Sequence, residues 1–319
     1  MDTPVTMHVA VAEYLTWRRK LGFALRIEGE ELGRFARFAD QVGHRGPLTT
    51  ELAVRWATLP AAAARLYHAR RLDMVRRLAR HLVVVEPTTE IPPAGFLGPS
   101  YRRREPHIYS REEIAALHGA AAQLDPAGGL RPRTYTTLFG LLACTGLRIS
   151  EALGLARPHV DLDAGILTIA AAKFHKSRLV PLDATAVQAL RGYAECRDRY
   201  RRRPRADTFF VSEYGTSLKY GKVIKTFADL RRRLGWKPGR GGRLPRMHDL
   251  RHAFAVGRLL RWYEQGVEID RTIASLSTYL GHVKVSDTYW YLTAVPELLA
   301  VSAARFERCA VESDRGGTR

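Results

Sequence analysis

Apolar residues recur at three- and four-residue spacing through most of the first 85 positions of this chain. The segments VAEYLTWRRKLGF, EGEELGRFARFADQV, TTELAVRWATL and AAARLYHARRLDMVRRLARHLVV each gather their apolar side chains on one face of a 3.6-residue helix. This pattern predicts a small helical domain over residues 1–90. The next stretch, PTTEIPPAGFLGPSYRRREPH, breaks the period. Its prolines supply no backbone N–H and oppose a continued helix, so residues 91–108 read as an exposed connector.

The pattern resumes at Ser110, a predicted N-cap with Glu113 three residues on, and a second domain is expected over residues 109–319. TYTTLFGLLACTG is apolar on nearly every face, which predicts a buried helix stopped by Gly146. ILTIAA and RLVPL are β-rich runs on either side of a polar basic tip, a hairpin with Lys173 and Lys176 at or near the tip. Helical spacing returns in KVIKTFADLRRRLG, MHDLRHAFAVGRLLRWYEQG and RTIASLSTYLG, the last closed by Gly281. A short SDTYWYL follows, then PELLAVSAARFERC with Pro296 in its first turn. The expected fold class is mainly α with a small antiparallel β-sheet in the C-terminal domain.

Composition adds a partner. The 319 residues are 46% hydrophobic and 26% charged, an ordinary globular balance that excludes a disordered chain. The net charge of +19 is not ordinary, and such self-repulsion is best relieved by a polyanion. Nucleic acid ranks first and an anionic membrane second. No apolar run approaches the roughly 20 residues needed to span a bilayer, and the first residues lack a basic segment followed by an apolar core. A soluble, cytoplasmic protein is therefore expected. Cys144, Cys196 and Cys309 are odd in number and far apart, which supports neither a disulfide framework nor a zinc site. With no metal-binding cluster and no nucleotide loop, neither a metal nor a cofactor is expected.

Three segments carry candidate chemistry. CTGLRISEALGL sets Arg148 just after a Thr-Gly turn, where a guanidinium at a new helix start can face a phosphate beside free backbone N–H groups; a surface arginine is the plainer alternative. HDLRHAF places His248 and Arg251 at i and i+3, on one helix face. In LGHVKVSDTYWYL, His282 follows the helix end at Gly281 and is itself followed by Tyr289, Trp290 and Tyr291. Tyr289 and Trp290 read as core packing. Tyr289 and Tyr291 lie about 200° apart on a helix, so one pocket cannot accept both.

In order and in local context, Arg148, Lys173, His248, Arg251, His282 and Tyr291 resemble the active-site set of the tyrosine recombinases, or phage integrases. The resemblance runs through TGLRISEALGL, KFHKSRLVPL, HDLRHAF and LGH with a tyrosine nine positions on, and covers residues 108 to 310. The first domain and basic connector are similar only in architecture to the family's core-binding domain and linker. The resemblance implies a site-specific recombinase that cleaves and rejoins DNA through a covalent 3′-phosphotyrosine, without metal or ATP. It implies Tyr291 as nucleophile, Arg148 and Arg251 on the phosphate, His248 as base, His282 as a hydrogen-bond donor to a non-bridging oxygen, and Lys173 as general acid. Lys176 is the competing acid, and Glu151 either orders the site or makes an ordinary helix salt bridge.

The basic stretches at 101–104, 197–205 and 235–246 are candidate phosphate contacts along double-stranded DNA; solvated loops are the alternative. By resemblance, protomers self-associate on DNA as a tetrameric synapse, the segment from Pro296 to Cys309 docks on a neighbour or packs on its own domain, and accessory recombinases are potential partners. The ending YWYLTAVPELL is similar to that of transposon-borne members, which favours transposition or integration by a mobile element. Two other readings compete: a DNA-binding accessory protein of the same fold without catalysis, and a type IB topoisomerase.

Overall fold

A computed structural model of the chain describes residues 6–101, 105–170, 177–200, 205–239 and 242–294. Lys173, Lys176, Arg102 to Arg104 and the expected helix from Pro296 to Cys309 lie outside the described residues. The chain divides into two compact units, Met1–Arg103 and Arg104–Arg319.

In the first unit, α1 (Met7–Lys20), α2 (Arg26–Gln41), α3 (Thr50–Thr58) and α4 (Arg65–Leu82) correspond to the four amphipathic segments. Thr49 caps α3 by accepting the Leu52 N–H at 3.2 Å, which satisfies one of the donors a helix start leaves open. The apolar faces meet in a core built on Phe35, Trp56, Val75 and Leu78, with Phe35 and Trp56 edge to face at 5.3 Å. Full burial of each such side chain contributes roughly 1.5–3 kcal/mol. Residues 87–101 of the Pro/Gly-rich stretch are largely exposed but do not hang free. Arg76 and Arg70 on α4 donate to the carbonyls of Pro92 and Ser100, and the Glu90 N–H donates to the Leu48 carbonyl. Prolines remove donors but leave acceptors, so arginine is the side chain suited to hold such a segment.

The second unit opens with α5 (Arg111–Ala122), whose start is the expected capping box: Ser110 accepts from the Glu113 N–H and Glu113 from the Ser110 N–H. Next comes α6 (Leu130–Thr145), buried along most of its length as its apolar sequence requires and ended by Gly146. After the short α7 (Ile149–Leu153), the strands β1 (Val160–Asp161), β2 (Ile166–Ile169) and β3 (Arg178–Pro181) form an antiparallel sheet in the order β1-β2-β3. The expected hairpin is β2 and β3, in register from Ile166 opposite Pro181 to Ile169 opposite Arg178. The two-residue β1 is too short to show a period of two.

Among the described residues of this unit, one unforeseen helix and four expected ones follow. The unforeseen one, α8 (Ala184–Tyr200), buries only Leu190, Tyr193 and Arg197, a stripe too thin to read as amphipathic. Arg197 therefore departs from the expectation for the basic stretch 197–205: it is buried, donates to the Phe209 carbonyl and pairs with Asp198, so it holds the fold rather than facing a phosphate. Then come α9 (Tyr220–Arg233), α10 (Asp249–Glu264), α11 (Ile269–Leu280) and α12 (Ser286–Ala294). Two cores share α10. Its first turns, through Leu250 and Ala253, close the larger core around Leu138, Phe139 and Phe210. Its middle, through Ala255, Val256 and Leu259, joins Ile273, Leu276, Leu280 and Tyr291 in a smaller one. Among the described residues, no helix is long and apolar enough to cross a membrane.

Candidate active site

Two glycines organise the site. Gly146 ends α6 and Gly281 ends α11, both in the left-handed conformation at φ of 63° and 70°. Helices ended in this way leave last-turn carbonyls without intrahelical partners. Arginines take them. Arg251 donates to the Gly146 carbonyl at 2.7 Å and to the Leu280 carbonyl at 2.6 Å, and Arg148 donates to the Gly281 carbonyl at 2.8 Å. The Arg251 guanidinium thus joins the ends of α6 and α11, and Arg148 ties the start of α7 to the end of α11. A side chain at Gly146 would meet the Phe254 ring at 2.6 Å, so the close approach there demands glycine.

Arg251 is 3% exposed. Burial, and then the charge of Arg148, pulls its pKa down to about 10, which still leaves it a cation at neutral pH. Arg148 stands before α7 with more of its side chain in solvent, and Glu151 takes both its guanidinium and its backbone N–H, at 2.8 and 2.9 Å.

Glu151 is more than half of an ordinary helix pair. Arg178 on β3 grips the same carboxylate with two bonds, at 3.0 and 2.8 Å, and donates from Nε to the Tyr279 carbonyl at 2.8 Å. Burial alone would raise the Glu151 carboxyl, but the hydrogen bonds from Arg178 and Arg148 outweigh it and hold the pKa at about 2. A carboxylate depressed in this way stabilises the fold above its ordinary pKa, and that stabilisation is lost as the pH falls from about 4.5 towards 2. Glu151→Gln is expected to cost about 2 kcal/mol at pH 7, after allowance for solvent screening, and progressively less below pH 4. Urea unfolding of both proteins at pH 7 and pH 3 checks this; an equal gap at both pH values would refute it.

The histidines and the tyrosine lie on α10, α12 and the turn after α11. His248 precedes the first residue of α10, and burial followed by the charges of Arg251 and Arg246 lowers its pKa, favouring the neutral ring. His252 lies one turn on, with its ring edge-on to that of His248 at 4.9 Å between centroids. Its Nδ1 is 3.1 Å from the Tyr291 hydroxyl oxygen. Burial, then His248, Arg246, Arg251 and His282, press its pKa down to about 3. His282 is fixed by a 2.7 Å bond between its Nδ1 and the hydroxyl of the buried Thr288, and its ring stacks near Tyr291 at 6.3 Å. Tyr291 itself is 2% exposed. Tyr289, expected in the core, is 40% exposed and its hydroxyl reaches Asp270, because a helix rotated to bury Tyr291 turns the residue two positions back outward. Trp290 is half-buried against the smaller core, close to the expectation.

The structure thus brings Arg148, Arg251 and His282 to the paired helix ends and sets Tyr291 beside His252 and His282. Cations on preorganised elements next to a phenol suit nucleophilic attack on an anionic ester. The sequence model of the Phage integrase family matches residues 110–297. A protein of Sinorhizobium fredii named as an integrase/recombinase, y4rB, is 43% identical over 309 residues, covering 95% of this chain and 98% of its own.

The chain belongs to the phage integrase family, the tyrosine recombinases.

It is a site-specific DNA recombinase, an enzyme that cuts and rejoins DNA, and its relatives favour neither a non-catalytic accessory protein nor a topoisomerase. The tyrosine recombinase XerD of Neisseria meningitidis is 30% identical over 265 residues, covering 82% of this chain and 84% of its own. In fold, the chain is similar to the Tn1549 transposon integrase solved in complex with transposon right end DNA, with a TM-score of 0.67 at 14% identity over 96% of this chain and 100% of that one.

Three residues of this recombinase's site were not singled out in the sequence. Arg178 was hidden by its strand: in RLVP the polar Arg178 shares the inner face with Val180 while Leu179 is 61% exposed, the reverse of the usual alternation. Thr288 is a single threonine in the first turn of α12 with no pattern around it to mark it. His252 did leave a signal, since it lies four residues after His248 and an i, i+4 pair shares a helix face.

Proposed function

We propose that Tyr291 attacks a DNA phosphodiester, forming a 3′-phosphotyrosine and releasing a 5′-hydroxyl. The observation that carries this reading is the placement of the buried Tyr291 phenol beside His252 and His282, with Arg251 and Arg148 at the adjoining helix ends. Attack places extra negative charge on the equatorial oxygens of a pentacoordinate phosphorus, and Arg148 and Arg251 supply charge-assisted donors to it. His282, its ring anchored by Thr288, donates to a non-bridging oxygen. At pH 7 a phenol of ordinary pKa costs roughly 4 kcal/mol to deprotonate. His248, favoured as the neutral ring, accepts that proton. Glu151 keeps Arg148 in place and is itself gripped by Arg178. The phosphotyrosine conserves the energy of the broken bond, so another strand's 5′-hydroxyl reseals the DNA with no ATP or metal.

Lys173, which falls between the two hairpin strands in sequence and lies outside the described residues, is the proposed acid for the 5′ oxygen, which leaves poorly as an alkoxide. Lys173→Ala should slow adduct formation by about 10²–10⁴. Replacing the bridging 5′ oxygen by sulfur should restore most of that rate, because a thiolate leaves without a proton. Sulfur rescue of Lys176→Ala in place of Lys173→Ala would reverse the assignment.

The partner is double-stranded DNA, as the net charge of +19 favours, gripped through the basic stretches of the sequence and brought together in a tetrameric synapse. Residues 1–90 serve as the core-binding domain and 109–319 as the catalytic domain, acting on DNA in the cytoplasm. The similarity to a transposon integrase favours service to a mobile element. The test uses a nicked suicide duplex carrying a site that the protein selects from a random pool, with EDTA present. A covalent adduct from the wild-type protein supports the reading; stable binding without an adduct refutes it.

A further inference from the structure

His252 is not one of the six residues assigned to the reaction, yet it is within hydrogen-bond distance of the reacting atom. Its Nδ1 is 3.1 Å from the Tyr291 oxygen, across α10 and α12. The contact is enclosed: the Trp290 ring is edge-on to His252 at 5.8 Å and to Tyr291 at 5.4 Å, and His248 closes another side. A phenol held only by ring packing can swing about its Cα–Cβ bond, which carries its oxygen with it; a hydrogen bond to a side chain on a neighbouring helix fixes that oxygen in depth and direction.

We propose that His252 is a further residue of the cleavage reaction, holding the Tyr291 oxygen through Nδ1 so that it meets the phosphorus in line. The proposal rests on Tyr291 being the nucleophile. His252 works as a neutral ring, since its burial among His248, Arg246, Arg251 and His282 disfavours a further cation. That makes it a poor store for the phenol's proton and leaves the base role to His248. One neutral imidazole nitrogen either accepts from the phenol hydrogen or donates to its oxygen, and both arrangements fix the oxygen in the same place.

The test compares His252→Ala with His252→Asn, whose amide reaches the position of Nδ1. Single-turnover adduct formation should fall by about 10- to 100-fold in His252→Ala, the loss expected from a misplaced nucleophile, and return to within about 3-fold of wild type in His252→Asn. DNA affinity should stay within about 2-fold in both. Bridging sulfur in the substrate should not rescue His252→Ala, because the defect lies on the attacking side. A wild-type rate in His252→Ala, or equal impairment of both variants, overturns the proposal. A second arm needs no DNA: in protein labelled with ¹³C at tyrosine Cζ, the resonance missing from Tyr291→Phe should shift in His252→Ala and move back in His252→Asn. An unmoved resonance also overturns it. If the wild-type protein forms no adduct while that resonance does shift, it is the nucleophile assignment that fails and not the contact.

Discussion

Tyr291→Phe is expected to abolish the covalent protein–DNA adduct while the variant still binds its site. The ring is kept, so its packing against His252, His282 and the smaller core persists, and only the hydroxyl is lost. Loss of its hydrogen bond to His252 costs about 1 kcal/mol, too little to unfold a domain of this size. Loss of the nucleophile costs roughly 10⁴–10⁶ in rate, since no neighbouring group takes its place. Tyr289→Phe is the matched control: its hydroxyl is on the outer side of α12, 3.4 Å from Asp270, and cleavage should be unchanged. The check is a denaturing gel of protein joined to labelled suicide substrate. An adduct that survives Tyr291→Phe and vanishes in Tyr289→Phe would reverse the two roles.

The two arginines should separate catalysis from stability. Arg148→Ala removes a half-exposed side chain and should cut the cleavage rate by about 10²–10³ with little change in melting temperature. Arg251→Ala should lose at least as much rate and also destabilise the catalytic unit by about 3–5 kcal/mol. It deletes a buried cation and strands the carbonyls of Gly146 and Leu280, which no water reaches easily. Arg251→Lys should restore only part of either loss, because one ammonium cannot reproduce two divergent bonds from a planar fork. Thermal unfolding alongside single-turnover cleavage measures both quantities. Equal melting temperatures for Arg148→Ala and Arg251→Ala would show that the Arg251 contacts to the helix ends contribute no stability.

Much of the architecture was legible because it depends on neighbours in sequence. The four segments of the first unit, the Ser110 capping box, the buried α6 and the glycine stops at 146 and 281 all follow from spacing and from the backbone preferences of single residues. The hairpin strands were legible for the same reason. The helix α8 was not, since most of its length faces solvent and little apolar pattern is needed to hold it. The exposure of Tyr289 was also missed: three consecutive aromatics suggest a core, but a helix turns 100° per residue and only some of them can face inward.

The sequence by itself supplied the candidate side chains, their order and the helices and turns on which Arg148, His248, Arg251, His282 and Tyr291 ride, because each of these is specified by its near neighbours in the chain. Only the tertiary structure decided how they are joined. Arg178 meets Glu151 across 27 positions and His252 meets Tyr291 across 39, and Arg251 reaches the Gly146 carbonyl across 105. No local period encodes such pairs. They form because the packing of α6, α10, α11 and α12 brings two helix ends to one place, where stranded carbonyls and a buried carboxylate must find donors and the arginines supply them.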